Sequence, residues 1–568
     1  METFQLSKQK SGSGSGSDSD SNRFKTALVF CLLLLPASVL VLALYQNSNF
    51  DQIGVFRGNA QNASALRYDS RTNSCEPAIS PDVKVLNRTS DSRIVEASDS
   101  GVVSSDNILL DRIFSPGLDE KSCLSRYESI QYRRHSPHKP SPYLLSKLRK
   151  YEDLHKNCGP NSESYNRSLS GIKSGTRNIS ASCKYVIWIP ANGLGNRIIS
   201  IASTFLYALL TNRVLLLDHG KDMDDLFCEP FPDTSWRLPN IFPVRNHWKN
   251  RYTQSFASIV KTSTVSPSHL YLNLDHSDYL LDKKLFYCGK SEPFLRNVPW
   301  IMILSDQYFA PYFFLSRTYK QEVTKMFPDK DCVFNLLSSY LFNPTNQVWG
   351  LITRFYDAYL SKADQRVGLQ VRVFNPATTP FQTVLNQLLN CTLNENILPE
   401  TGQRKPEAPQ LKTKTSKAIL VTSLYNEFYV NLSNMYWTGP TATGEVIGVY
   451  QPSHEGFQQF GGTNTHNMKA WAEMYLLSLT DVLVTSAWST FGYVGQGLGG
   501  LKPWILFKTD NENVPNPPCT RDLSTEPCFH FPPTYDCDGE GKIDVGDVLP
   551  YLRHCVDLNW GVKLVRDD

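Results

Sequence analysis

The sequence predicts an α/β protein with two facing Rossmann-like halves, preceded by a single transmembrane helix and a stalk. Three observations carry that prediction. Short apolar runs alternate with helix-period segments twice, first between residues 184 and 218 and again between 367 and 507. A Gly-rich loop joins the first of these strands to its helix, as βα units require. One uncharged run of 20 residues, Thr26–Tyr45, stands alone near the N-terminus.

In chain order, residues 1–22 hold a Gly-Ser run and Ser-Asp repeats, the composition of a flexible tail. Thr26–Tyr45 reaches about 30 Å as a helix, one hydrocarbon thickness. It is longer than the 7–15 apolar residues of a cleaved signal, and it ends in Leu44-Tyr45-Gln46 with no small-x-small site. Arg23 and Lys25 precede it, so residues 1–25 are expected in the cytosol and the rest across the membrane. Residues 46–118, rich in Ser, Asn, Asp and Arg, read as a stalk. Sequons at Asn62, Asn87, Asn166, Asn178, Asn390 and Asn431 all follow the anchor, where glycosylation occurs. Of 13 cysteines, Cys31 falls inside the span, leaving twelve beyond it, an even number compatible with full pairing.

The globular part divides into 119–355 and 356–568. Lys184–Ile189 is a buried-strand run, Pro190–Asn196 a Gly-rich loop, Arg197–Thr211 a helix and Arg213–Asp218 the next strand. In the second half, Val367–Val373, Ala418–Ser423, Glu445–Tyr450, Asp481–Thr485 and Pro503–Phe507 read as strands. Asn467–Thr480 is a helix with Met468, Trp471, Ala472, Tyr475 and Leu479 on its apolar face. The segment from Cys519 holds four cysteines and reads as a stapled tail over the second half. With 57 Lys+Arg against 54 Asp+Glu, the chain lacks the basic excess of a nucleic-acid binder. Its 41% hydrophobic content excludes general disorder.

Chemistry concentrates in three places. Asn192-Gly-Leu-Gly-Asn-Arg197 lies between strand and helix, where backbone N–H groups and the helix N-terminus favour an anion and Arg197 adds a guanidinium. The bland alternative is a tight turn. Arg372 ends an apolar strand, where a charge is costly unless paired; it reads either as a phosphate ligand or as a structural ion pair. Ser486, Ser489 and Thr490 follow the next strand and offer hydroxyls to phosphate oxygens, or simply cap a helix. Three patterns are weaker. Gly495–Gly500 matches G-x-G-x-x-G but reads as a helix end. Asp222-Met-Asp224 is one of four D-x-D matches in the chain. Asp536–Asp547 follows EF-hand ligand spacing without evident flanking helices.

These residues lie in longer runs that resemble the plant cell-wall fucosyltransferases, whose best-known activity is fucosylation of xyloglucan. The runs are SCLSRYESIQYRR (122–134), NGLGNRIISIASTFLYALLTNRVLLLD (192–218), GKDMDDLFCEPF (220–231), YLFNPTNQVWGLITRFYDAYL (340–360), VGLQVRVF (367–374), AEMYLLSLTDVLVTSAWSTFGYVGQGLGGLKPWIL (472–506) and EPCFHFPP (526–533). The resemblance implies a GT-B-like, inverting, metal-independent Golgi enzyme of type II topology. It would use GDP-fucose as donor substrate, with no cofactor. The first half would face the acceptor and the second half the donor. Arg372 would neutralise the departing GDP phosphates. Gly193, Leu194, Gly195, Asn196 and Arg197 would face the fucose and phosphates; Ser486, Ser489, Thr490, Phe491 and Gly492 would contact the nucleotide. Gln370 and Val373 stand where animal α1,2-fucosyltransferases have further basic residues, so only one arginine is expected in the clamp. The acceptor would be xyloglucan galactose or, alternatively, an arabinogalactan protein; no nucleic acid is expected, and a homodimer is left open. Asp306, after the apolar run Trp300–Leu304, is nominated as catalytic base, against a turn-forming role. Competing readings are a non-catalytic, membrane-tethered glycan-binding protein and a metal-dependent transferase using Asp222 and Asp224.

Overall fold

The structure, a computed structural model, describes residues 113–134, 138–174, 183–245, 255–262, 267–276, 281–289, 291–402, 415–454, 464–509, 513–534 and 544–567. The span Thr26–Tyr45, the stalk sequons Asn62 and Asn87, Asn178 and most of the Asp536–Asp547 segment lie outside these residues.

After helix α1 (Pro142–Cys158), four strands form the first sheet: β1 (Tyr185–Ile189), β2 (Val214–Leu217), β3 (His269–Asn273) and β4 (Trp300–Leu304). They are all parallel, in the order β2-β1-β4-β3. YVIWI and VLLL are apolar without alternation because helices cover both faces of a parallel sheet. Between β1 and β2 runs α2 (Leu194–Thr211), which ends where Asn212 turns left-handed at φ 50°. This helix has the length and hydropathy of a membrane span, yet it is mostly buried in the protein as a core helix. Helices α3 (Val333–Leu341) and α4 (Asn346–Phe355) lead to the second half.

The second sheet has the order β10-β9-β8-β5-β6-β7. Its strands are β5 (Gln365–Val371), β6 (Ser416–Ser423), β7 (Val446–Tyr450), β8 (Val482–Ser486), β9 (Trp504–Leu506) and β10 (Cys519–Arg521). Only β10 runs antiparallel, against β9. Helices α5 (Phe381–Asn394), α6 (Glu427–Thr438), α7 (Asn464–Ser478) and α8 (Thr490–Gly499) connect these strands. The glycine repeat 495–500 is the end of α8, closed by left-handed Gly500, as its helix-end reading expects. The two halves share one continuous core, in which Phe205, Phe334 and Tyr340 of the first and Trp471, Leu477 and Leu498 of the second belong to a single buried cluster.

Two expectations need correction. The C-terminal tail does not simply cover the second half. Its Glu526 accepts from Tyr308 Oη and from the Phe334 N–H at 2.8 Å, and Thr525 donates to the Asp331 carbonyl, all in the first half. It also reaches the second half, where Gln496 donates to the Glu526 carbonyl and Trp488 N–H to Asp557. The tail is therefore wedged against both. Full cysteine pairing also fails. Disulfides join Cys123–Cys228, Cys158–Cys183, Cys391–Cys519 and Cys528–Cys555, and Cys288 is bonded as well, but Cys332 is free and buried. Burial pushes the Cys332 thiol well above its ordinary pKa, so it stays a protonated core residue. The described sequon asparagines Asn166, Asn390 and Asn431 are all exposed.

Candidate active site

In parallel sheets, ligands bind beyond the strand carboxyl ends, where successive connections leave in opposite directions. In the second sheet that point lies between β5, which leads to β6 on one side, and β8, which leads to β9 on the other. The segments leaving β1, β5 and β8 meet around a cavity of about 200 Å³ that opens to solvent. Gly193, Leu194, Gly195 and Asn196 form one wall, Arg372 and Val373 another, and Ser489, Thr490 and Phe491 a third. Two helix N-termini, those of α2 and α8, thus border the same space, and each carries partial positive charge.

Arg372 is held by its own backbone, whose N–H donates to Ser486 Oγ at 2.9 Å. Its guanidinium lies over the Phe374 ring, 4.7 Å from the centroid. Among the described residues no carboxylate pairs with it, so the structural ion pair that sequence allowed is not made. Burial lowers its pKa from the ordinary value, a cost that an anion in the cavity would offset. Arg197 has the opposite fate. Its Nη1 donates to Asp222 Oδ2 at 2.7 Å and its Nε to the Asn192 carbonyl at 2.9 Å, and it is not part of the cavity wall. The expected second cation is therefore already neutralised. Asp224 meets Arg237 and His219, so both acids of the D-x-D segment face cations.

Gly195 serves a contact between helices. A Cβ on Gly195 would sit 2.7 Å from the Thr490 backbone, so this residue lets α2 touch α8 across the halves. Asn196 completes that seam, accepting from Thr490 Oγ1 at 3.1 Å. The residue with a left-handed backbone is Asn192, at φ 58°, a conformation asparagine tolerates. Ser486 and Gly492 do not line the cavity. Ser486 positions Arg372, and Gly492 leaves room for Thr485, whose Oγ1 would meet an added Cβ at 1.8 Å. Ser489 makes no side-chain capping bond, which removes the bland reading for that hydroxyl.

Asp306 is brought to the same loop from β4, but not into the cavity. Its carboxylate is only 2% exposed. It accepts from Asn192 Nδ2 at 2.5 Å, from Gln307 Nε2 at 2.8 Å, from the His276 backbone N–H at 2.9 Å and from the His276 ring. Sequence reasoning missed His276, an isolated histidine in a polar stretch, because its partner lies 30 residues away. It also missed His466, Lys469 and Glu473, which line the cavity from α7. Their i, i+3, i+7 spacing is a polar stripe opposite the apolar face that identified the helix, and that stripe was a usable signal.

The xyloglucan fucosyltransferase family model matches residues 83–538. The chain belongs to the xyloglucan fucosyltransferase family. It is 53% identical over 464 residues to a galactoside 2-alpha-L-fucosyltransferase of Pisum sativum, covering 80% of this chain and 82% of that protein. Fucosyltransferase 2 of Arabidopsis thaliana is 46% identical over 558 residues, 96% of this chain and 99% of that one. Among solved structures, a mutant of Arabidopsis thaliana FUT1 in complex with GDP superposes with a TM-score of 0.74 at 52% identity, covering 80% of this chain and 100% of that chain. The fold is thus that of a fucosyltransferase with two parallel α/β sheets, and the protein is a fucosyltransferase-family enzyme.

Proposed function

We propose that this enzyme is a Golgi type II membrane protein of GT-B-like architecture that transfers L-fucose from GDP-fucose to the 2-hydroxyl of galactose on xyloglucan, with inversion and without a metal. The observation that carries the donor assignment is Arg372, a half-buried guanidinium with no carboxylate partner among the described residues, in a cavity bordered by two helix N-termini. Family membership supports the rest.

The chemistry follows from charge. Displacing GDP breaks the bond from the fucose anomeric carbon to phosphate oxygen and leaves negative charge on that oxygen. An always-protonated guanidinium and fixed N–H dipoles stabilise that charge as it forms. They are held in place beforehand, by Ser486 for Arg372 and by the α2–α8 seam for the loop. The pairing of Asp222 with Arg197 supports a reaction in which the D-x-D carboxylates hold structure instead of a cation.

The full-length chain in detergent, incubated with GDP-fucose and plant glycans, is expected to yield α1,2-fucosylated galactose on xyloglucan, undiminished by EDTA. Transfer only to arabinogalactan protein would reassign the acceptor. Absence of GDP binding at millimolar concentration would sink the donor assignment.

A further inference from the structure

We propose that His276 is the general base of the transfer and that Asp306 is the residue that positions it; the inference rests on the fucosyl-transfer reading above. The nominated base, Asp306, cannot itself serve. A carboxylate offers about four lone-pair sites, and four donors already occupy them. Nor does its 2% exposure leave a path for an acceptor hydroxyl.

His276 has what Asp306 lacks. Its ring is about half exposed, at 53%. Asp306 grips it twice, through the backbone N–H and through Nδ1. A proton on Nδ1 shared with a carboxylate leaves Nε2 as the acceptor, the tautomer a base needs. The dyad is tied to the donor cavity by one loop. Asn192 Nδ2 lies 3.5 Å from the His276 Nδ1 and 2.5 Å from Asp306 Oδ2, while Asn196, in the cavity wall, donates to the Asp306 carbonyl at 3.1 Å. The same five residues therefore position the leaving group's surroundings and the base. The half-exposed Phe531 ring stands 6.3 Å away and gives a sugar an apolar neighbour.

In the step, the acceptor O–H gives its proton to His276 Nε2 as its oxygen bonds to the anomeric carbon. The carbon–phosphate-oxygen bond breaks, and its electron pair departs on GDP. The imidazolium, stabilised by Asp306, then releases the proton to water. Among the described residues, the charged or titratable groups around His276 are Asp306, the adjacent Asp275 and His530 of the tail. Burial lowers the His530 pKa, and its Nε2 is engaged with Tyr493 Oη at 3.0 Å, so it remains neutral.

The test compares the full-length wild type with His276→Gln and Asp306→Asn, reading GDP affinity, Tm and kcat against pH. His276→Gln is expected to keep GDP affinity and Tm, to lose about 10²–10⁴-fold in kcat, and to lose the acid limb of the pH profile. Asp306→Asn, which favours the wrong tautomer, is expected to lower kcat while GDP binding persists. Added imidazole should partly rescue His276→Gly and leave Asp306→Asn unchanged. A His276→Gln enzyme within threefold of wild-type kcat and with an unchanged pH profile overturns the assignment while leaving the transferase reading intact. A wild type that binds GDP yet transfers no fucose to any glycan overturns both.

Discussion

Arg197 and Arg372 both follow the strand that opens their half, Arg197 in the first turn of α2 and Arg372 directly after β5. In the sequence each is a guanidinium beyond an apolar strand run. In the folded protein Arg197 is bound to Asp222 at 2.7 Å, whereas Arg372 has an aromatic ring beneath it and, among the described residues, no carboxylate beside it. A charge that is satisfied within the fold contributes to the scaffold. A half-buried charge left unsatisfied is costly to folding and persists where a ligand offsets it. On the proposed function, the cation that stabilises the leaving phosphate belongs to the second half, while the arginine of the first half is committed to the scaffold.

The most severe way to break this contrast is at Arg372. Lysine keeps the charge but loses the planar fork that binds two phosphate oxygens. Arg372→Lys is expected to reduce kcat by about 10²–10³-fold, the range for removing one preorganised donor to a developing anion. The Tm should hold or rise, because the native guanidinium makes no ion pair among the described residues. Near-normal turnover would remove the phosphate role.

The seam gives the next effect. An alanine methyl at Gly195 would stand 2.7 Å from the Thr490 Oγ1 and from its backbone carbonyl carbon, and 2.9 Å from the Phe491 nitrogen. Backbone cannot rotate away, so α2 and α8 must separate by a few tenths of an ångström or more. Gly195→Ala is expected to cost about 1–3 kcal/mol of stability, as overpacking does. Turnover should fall about 10–100-fold, because both cavity walls shift relative to each other. A variant with wild-type kcat would show that the walls need no fixed spacing.

How much of this was visible beforehand depends on the range of the interaction. Runs such as YVIWI and VLLL announce strands because covered parallel sheets need apolar side chains on both faces, and those elements appear within a residue or two of expectation. β3, HLYLN, gave no such sign: it is an edge strand, its first and last residues only partly buried. The site was legible where one short motif supplies it, as in Gly193–Asn196 and Ser489–Phe491. It was illegible where two distant segments define a role. No local signal shows that Arg197 is paired and Arg372 is not, because Asp222 is 25 residues from Arg197 and, among the described residues, no carboxylate meets Arg372. The same reason hides the Asp306–His276 pair and the return of the tail to Tyr308 and Phe334.

The smallest effect tests the scaffold side of the contrast. Asp222 is 23% exposed and Arg197 15%, so their pair is neither a solvated surface contact nor a fully desolvated one. Asp222→Asn keeps a hydrogen-bond acceptor for Arg197 and removes the charge. Another tie of the segment, from Asn467 Nδ2 to the Asp222 carbonyl at 2.8 Å, is untouched because it uses backbone. The expected loss is about 1 kcal/mol of stability, with kcat reduced no more than about fivefold. Double-mutant cycles sharpen the result. Arg197→Met combined with Asp222→Asn should cost less than the sum of the single changes, because each single change strands the other partner. Arg372→Lys combined with Asp222→Asn should be additive, since the two residues share no partner. If Asp222→Asn instead abolished activity and left the Tm unchanged, the acid would be acting on the reaction, and the division of labour between the two arginines would have to be redrawn.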